Sequence, residues 1–223
     1  MLREFGMGDV YYLVSSARWT FVLSLIAFVG GGLIGGLMTL ARISRFGPLR
    51  WFAAGYVEVL QGTPLLMQLF LWFFMLTLLL PVELPALAVA AIALSLNASS
   101  FAIEIWRGSI EAIPKTQWES AASIGMSRLQ QLRYIIVPQA IRIGIAPTVG
   151  LAVIVIKATS LTALIGFVEV TRAGQLVSGV TFQPLLTYSV VPLIYRGFSW
   201  PPSILSRRLE QNLDVNRTPE LSQ

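Results

Sequence analysis

The stretch that decides the fold is residues 19–40, WTFVLSLIAFVGGGLIGGLMTL, which holds no charged side chain over 22 residues. At about 1.5 Å of rise per residue, a helix of that length crosses a hydrocarbon core of about 30 Å, so the run reads as a membrane span. Its glycines satisfy the letter of the dinucleotide pattern GxGxxG at Gly30, Gly32 and Gly35. No strand precedes them and no βαβ unit surrounds them, which excludes the nucleotide reading. Gly31 with Gly35, and Gly32 with Gly36, instead give the GxxxG spacing that lets two helix backbones approach closely.

The rest of the chain has the same character. Of 223 residues, 55% are hydrophobic and 12% charged, with a mean hydropathy of +0.72, where soluble domains carry about a quarter charged residues. Further apolar runs predict an all-α membrane protein forming a single domain over 1–223. Its five spans lie at about 19–40, 60–80, 85–105, 143–165 and 184–200. Pro81-Val-Glu-Leu-Pro85 closes the second, and the last contains Pro192 and Arg196. The first apolar run starts late and no small-residue cleavage pattern follows, so no signal peptide is expected.

Charge sets the orientation. The segments 41–51, 106–142 and 201–223 hold three, five and three Lys or Arg residues, whereas the opposite set holds only Arg3, Arg18 and Arg172. Positive flanks stay cytoplasmic, which predicts an external N-terminus and a cytoplasmic C-terminus. The net charge of +5 is of this flanking kind, with no basic run interleaved with aromatics, so a nucleic-acid partner is not expected. With no Cys and no His, thiolate and imidazole metal sites and every Cys-His or Ser-His catalytic arrangement are excluded.

The polar segment 106–142 is too long for a simple connector. Thr116-Gln-Trp-Glu119 fits a capping box that starts a helix, and Gly125 suits the left-handed residue that ends one. Ser127-Arg-Leu-Gln130 is a second capping box, and Pro138 is expected to terminate the helix it opens. The prediction is a helix-turn-helix in which small Ala121 and Ala122 permit close approach and Trp118 or Met126 can anchor a protein partner. Packing of both helices against the bundle's own ends accounts for the same pattern equally well.

A resemblance separates these alternatives. Glu119-Ser-Ala121, Gly125 and Ile135-x-Val137-Pro138 resemble the EAA loop of ABC importer permeases, with mild departures at Ser120 and Val137. Gln61-Gly-Thr-Pro-Leu65, Glu104-Ile-Trp-Arg-Gly108, Ala112-Ile-Pro114, Pro138-Gln-Ala140, Lys157-Ala-Thr-Ser-Leu161 and Ser206-Arg-Arg-Leu-Glu210 extend it over nearly the whole chain. They are similar to the polar and amphipathic amino acid permeases of the histidine, glutamine and glutamate type. The family implies a bacterial inner-membrane protein working by alternating access, not itself an enzyme. Its coupling residues here are Glu119, Ser120, Ala121, Ala122, Gly125, Met126, Ser127 and Pro138. It also implies two ATPase subunits that hold ATP and Mg, a second permease chain, identical or paralogous, an external substrate-binding protein, an amino acid substrate and surrounding lipid. This sequence has no GxxxxGK[ST] phosphate loop, in keeping with ATP hydrolysis on another chain. Many relatives carry Arg at the position of Gln61, and an apolar or aromatic residue at that of Arg196.

Polar residues within the spans are the candidates for a substrate path: Gln61, Thr63, Asn97, Ser100, Lys157, Thr159 and Ser160. An intramembrane charge costs roughly 2.5 to 3.5 kcal/mol, so Lys157 either faces a cavity and meets a substrate carboxylate or snorkels outward. Hydrogen bonding between helices is the competing account of Asn97, Ser100, Gln61 and Thr63. Glu104 and Arg107, three apart, form a plain surface ion pair. An ion-gradient-driven secondary transporter is the alternative function, disfavoured by small size and the absence of an internal repeat.

Overall fold

A computed structural model describes residues 4–79 and 84–214, all of them helix, turn or irregular backbone. The first helix, α1, runs Met7–Arg42 and begins 12 residues before the charge-free run. Gly6 is extended at its N-cap and its N–H donates to the Asp9 carboxylate at 3.0 Å, closing the first turn. Arg18 does not break the helix because it points outward, its guanidinium 5.7 Å from the centre of the Trp19 ring. The absence of charge therefore underestimates the helix at its amphipathic end, where Leu13 and Ala17 are buried.

Close packing of α1 on α4 (Ala86–Glu111) forms the middle of the bundle. A Cβ on Gly31 would lie 2.7 Å from the Ala98 Cβ, and one on Gly35 2.8 Å from that of Ala102. Gly31 and Gly35 are thus the working GxxxG pair. Gly32 and Gly36 face only the Trp106 ring, at 3.9 and 3.5 Å. Leu23, Ala27, Leu69, Ala93 and Leu151 complete the buried centre. Leu33, Leu37 and Phe74 point outward, as a lipid-facing surface requires.

The expected span 60–80 is two helices, α2 (Gly47–Gly62) and α3 (Leu65–Leu79), meeting at 106°. Pro64 supplies no N–H and forces the preceding Thr63 into extended backbone, which breaks the helix there. The Pro81–Pro85 turn falls partly outside the described residues, as do Arg3 and Arg217. Helix α4 carries on to Glu111, so Trp106 to Glu111 belongs to the bundle and not to the loop. Arg107 pairs with Glu104 and with Glu111 along its surface.

The remaining helices are α5 (Lys115–Ser123), the single turn α6 (Arg128–Gln130), a π-helical segment Gln131–Ile136, and α7 (Val137–Ala158). A 3-10 segment, Thr159–Ile165, ends α7, so the expected span 143–165 is one part of a longer continuous helix. The stretch 166–183, read as a connector, contains α8 (Val170–Thr181). Helix α9 (Pro184–Asp214) passes through Pro192, Pro201 and Pro202 without a break and runs well beyond the expected end at Trp200. Among the described residues, α1, α4 and Arg128–Ile165 are long and apolar enough to cross a membrane, and the bent α2–α3 pair is a fourth candidate.

Candidate functional site

The loop between α4 and α7 is built differently from its capping signals at one end and in keeping with them at the other. Pro114, extended at ψ 141°, is the N-cap of α5, so Thr116 lies inside the first turn and makes no cap with Glu119. Proline wins because its fixed φ pre-forms the entry and it has no N–H to lose. At the other end Gly125 adopts φ +80°, with nothing within 4 Å of the position a Cβ would take. Backbone conformation, not space, requires glycine there. Gly125 N–H donates to the Ala122 carbonyl at 3.0 Å and Met126 N–H to that of Ala121 at 3.3 Å, the paired bonds of a Schellman cap. Ser127 then forms its predicted capping box, with Gln130 Oε1 accepting the Ser127 N–H at 2.8 Å.

Pro138 does not end the helix. The Val137 N–H reaches back five residues to the Leu132 carbonyl, and Pro138 begins α7 just beyond this widened turn. The wider turn relieves the contact that a proline ring makes with the fourth preceding carbonyl in an α-helix.

One face of α5 is committed to the bundle. Ala121 is 4% exposed, and Trp118 packs with Leu132 against Ile113, Ile136 and Ala140. The Arg128 guanidinium stands 5.7 Å from the Trp118 ring centre, holding the two helices across the turn. Trp118 and Ala121 therefore brace α5 against the bundle. Glu119, Ser120, Ala122 and Ile124 remain exposed, and Met126 is half-buried. Packing against the bundle and presentation of a free face are both realised, on opposite sides of the same short helix.

Four path candidates meet at the α2–α3 bend. Gln68, which the sequence reading missed, is 4% exposed and donates to the Leu60 carbonyl at 2.6 Å and the Thr63 carbonyl at 3.0 Å. Asn97 Nδ2 donates to Gln68 Oε1 at 3.3 Å, and Gln61 Nε2 to the Ser100 carbonyl at 3.1 Å. Thr63 Oγ1 donates to the Val59 carbonyl. The Gln68 and Thr63 bonds reach carbonyls at the broken end of α2. Gln61, Thr63, Asn97 and Ser100 thus join helices here. A polar residue four positions after a helix-breaking proline is the signal that would have identified Gln68.

Lys157 and Ser160 lie elsewhere, in a cavity of about 510 Å³ between α7 and α9 whose walls include Tyr195, Arg196, Ser199 and Arg207. Thr159 is fully buried behind them and donates to the Ile156 carbonyl. Cationic residues line this cavity, and among the described residues no acidic side chain does. The adjacent carboxylate, Glu169, is fully buried at the N-terminus of α8, where it accepts the N–H groups of Thr171 (2.9 Å) and Arg172 (3.0 Å) and the Tyr195 hydroxyl. Thr20 of α1 adds a long contact at 3.5 Å. Glu169 was not singled out from sequence because Glu is a weak capping signal beside Ser, Thr, Asp and Asn.

The sequence profile of the binding-protein-dependent transport system inner membrane component matches residues 31–198, from the glycines of α1 to the cavity face of α9. The L-cystine transport system permease protein TcyB of Bacillus subtilis (strain 168) is 36% identical over 208 residues, 93% of this chain and 86% of its own. The glutamine transport system permease protein GlnP of Escherichia coli (strain K12) is 30% identical over 204 residues, 91% and 93% of the two chains. A crystal structure of an amino acid ABC transporter with histidines superposes with a TM-score of 0.84 at 30% identity, covering 90% of this chain and 94% of that one. The inward-facing MetNI methionine ABC transporter shares the fold, with a TM-score of 0.66 at 17% identity. Such permeases work with a separate ATPase and a substrate-binding protein. The chain belongs to the binding-protein-dependent transport system inner membrane component family, the permease subunits of ABC importers.

Proposed function

We propose that this chain is the permease of a bacterial amino acid importer, a multi-pass protein of the inner membrane that moves its substrate by alternating access. The free face of α5 carries the reading: Glu119, Ser120 and Ala122 stand exposed on a helix braced from behind by Ala121 and Trp118. A rigid, short helix with an open face can pass a push from a partner into α7 without deforming. Gly125, Met126, Ser127 and Pro138 fix its aim, through the Schellman cap, the second capping box and the widened turn.

In the assembly, two permease chains, identical or paralogous, enclose the path, two ATPases hold ATP and Mg, and an external binding protein delivers the amino acid. The entire chain, 1–223, forms one permease domain with five passages, the bent α2–α3 pair serving as the second and α9 as the fifth. The loop between α4 and α7 and the C-terminus face the cytoplasm and the N-terminus faces outward, as the Lys and Arg distribution supports. The substrate path runs past Lys157 and Ser160, with Thr159 behind them, while Gln61, Thr63, Asn97 and Ser100 hold the bend beside it. The bent helix pair suits such a path, because irregular backbone at membrane depth survives where it is buried or lines a cavity.

The test is co-purification of the ATPase with the chain from its native host, and amino-acid-dependent uptake in proteoliposomes. Glu119→Ala and Gly125→Val are expected to weaken ATPase retention or uncouple uptake while membrane insertion is unchanged. Normal retention and uptake in both variants overturn the coupling assignment. Unaltered uptake by a properly assembled Lys157→Ala variant overturns the path assignment.

A further inference from the structure

We infer that the cavity between α7 and α9 selects amino acids bearing more than one carboxylate, with Lys157 holding one and Arg196 the other; this rests on the importer reading above. Three observations converge on it.

The first is geometry. The Ser206 hydroxyl donates to the Ala146 carbonyl at 2.9 Å, which fixes the antiparallel register of α9 against α7. Counting outward from that contact at equal rise along both helices places Lys157 about level with Tyr195 and Arg196. Arg196, Ser199, Ser203 and Arg207 follow one another at helical spacing along a single stripe of α9, and all four face the cavity. Arg207 lies 11 residues from Arg196, or about 16 Å along the helix, and bounds the opposite end. Lys157 and Arg196 therefore lie at one level of the cavity and Arg207 at another.

The second is charge balance. Among the described residues Lys157 and Arg196 have no carboxylate partner, and the ion pairs there engage Arg107 with Glu104 and Glu111. The Arg196 guanidinium stands 6.0 Å from the centre of the Trp200 ring. Glu169 is turned away, its oxygens occupied by Thr171, Arg172 and Tyr195. Both side chains are exposed, so each is free to meet an anionic occupant of the cavity through a charge-assisted bond.

The third is an unsatisfied group. Ser199 lines the same cavity, is 7% exposed, and its hydroxyl has no hydrogen-bond partner among the described residues. A buried hydroxyl left open beside two cations can donate to a carboxylate oxygen. Arg196 also has the planar fork that takes a carboxylate through two parallel bonds, whereas Lys157 acts as a point charge.

The experiment compares acid and amide isosteres. The permease–ATPase complex, in lipid nanodiscs and without a binding protein, is titrated with radiolabelled L-glutamate, L-glutamine, L-aspartate, L-asparagine and L-lysine. The acid of at least one pair is expected to bind about tenfold or more tightly than its amide, and lysine more weakly than either. Arg196→Gln should collapse the acid-to-amide ratio toward one, while Lys157→Gln should weaken acid and amide together. Arg172→Gln, which removes a charge bonded to Gln175 outside the cavity, should leave the ratio as it was. Equal binding of acid and amide, tightest binding of lysine, a ratio unchanged in Arg196→Gln, or no binding up to millimolar concentration each overturns the inference. Failure of the unmodified chain to retain an ATPase overturns the importer reading instead, so the two failures are distinct.

Discussion

The Tyr195 hydroxyl donates to the Glu169 carboxylate, joining the middle of α9 to the first turn of α8. Because Thr20 of α1 reaches the same carboxylate and accepts the Val170 N–H at 3.3 Å, three helices converge on one buried acid.

Glu169→Ala removes a helix cap and leaves the Tyr195 hydroxyl short of a partner in the interior. A loss of about 2 to 3 kcal/mol is expected, against about 1 kcal/mol for Tyr195→Phe, which leaves the two backbone bonds to Glu169 intact. Unfolding midpoints in detergent check the order, and a Tyr195→Phe variant less stable than Glu169→Ala contradicts it.

Gly31→Ala drives a Cβ to within 2.7 Å of Ala98 and should destabilise the α1–α4 contact by about 1 to 3 kcal/mol. Gly32→Ala meets only Trp106 at 3.9 Å and should be close to neutral. The double variant Gly31→Ala with Ala98→Gly should regain part of the loss. Equal unfolding midpoints for the two single variants would show that the helices do not pack at this register.

Gly125→Ala imposes the left-handed penalty of about 1 to 2 kcal/mol on the turn, and Gly125→Asn less, since Asn tolerates that conformation. ATPase retention should fall in the order Gly, Asn, Ala, Val, with membrane insertion the same in all four. Retention that followed side-chain size alone, placing Ala ahead of Asn, would point to a direct contact in place of backbone strain.

Gln68→Leu keeps the volume at the α2–α3 bend and removes its donors to the carbonyls of Leu60 and Thr63. A cost of about 1 to 3 kcal/mol is expected, larger than for Asn97→Ala, which removes one bond of 3.3 Å. A Gln68→Leu variant as stable as the parent in detergent unfolding would show that the bend holds without it.

Local chemistry was the legible part of this chain. The Ser127 capping box and the Gly125 turn are decided within four or five residues, and both stand as the sequence predicts. Thr116 misled because Pro114, two positions earlier, already served as the cap. Pro138 misled because a widened turn accommodates it, a response that depends on how Ile136 and Ala140 must pack below. The GxxxG pairs were visible, but only the position of α4 selects Gly31 and Gly35 over Gly32 and Gly36. Lys157 was recognisable as an expensive charge, whereas its company of Arg196 and Ser199 arises from pairing two helices distant in sequence. Glu169 and Gln68 gave weak local signals, and their importance comes from partners on other helices.

The widened turn at Gln131–Ile136 has a further consequence, concerning angle rather than strength. Each residue added to or removed from a helix rotates all that precedes it by about 100° about the axis. The azimuth at which Glu119 and Ser120 face away from the bundle is therefore set by how many residues lie in that turn. Deleting one of them would let the backbone close as an ordinary α-helix and swing the face of α5 by roughly a quarter turn. The proposed docking element is indexed by chain length, and it should tolerate exchanges of side chain far better than the gain or loss of a single residue.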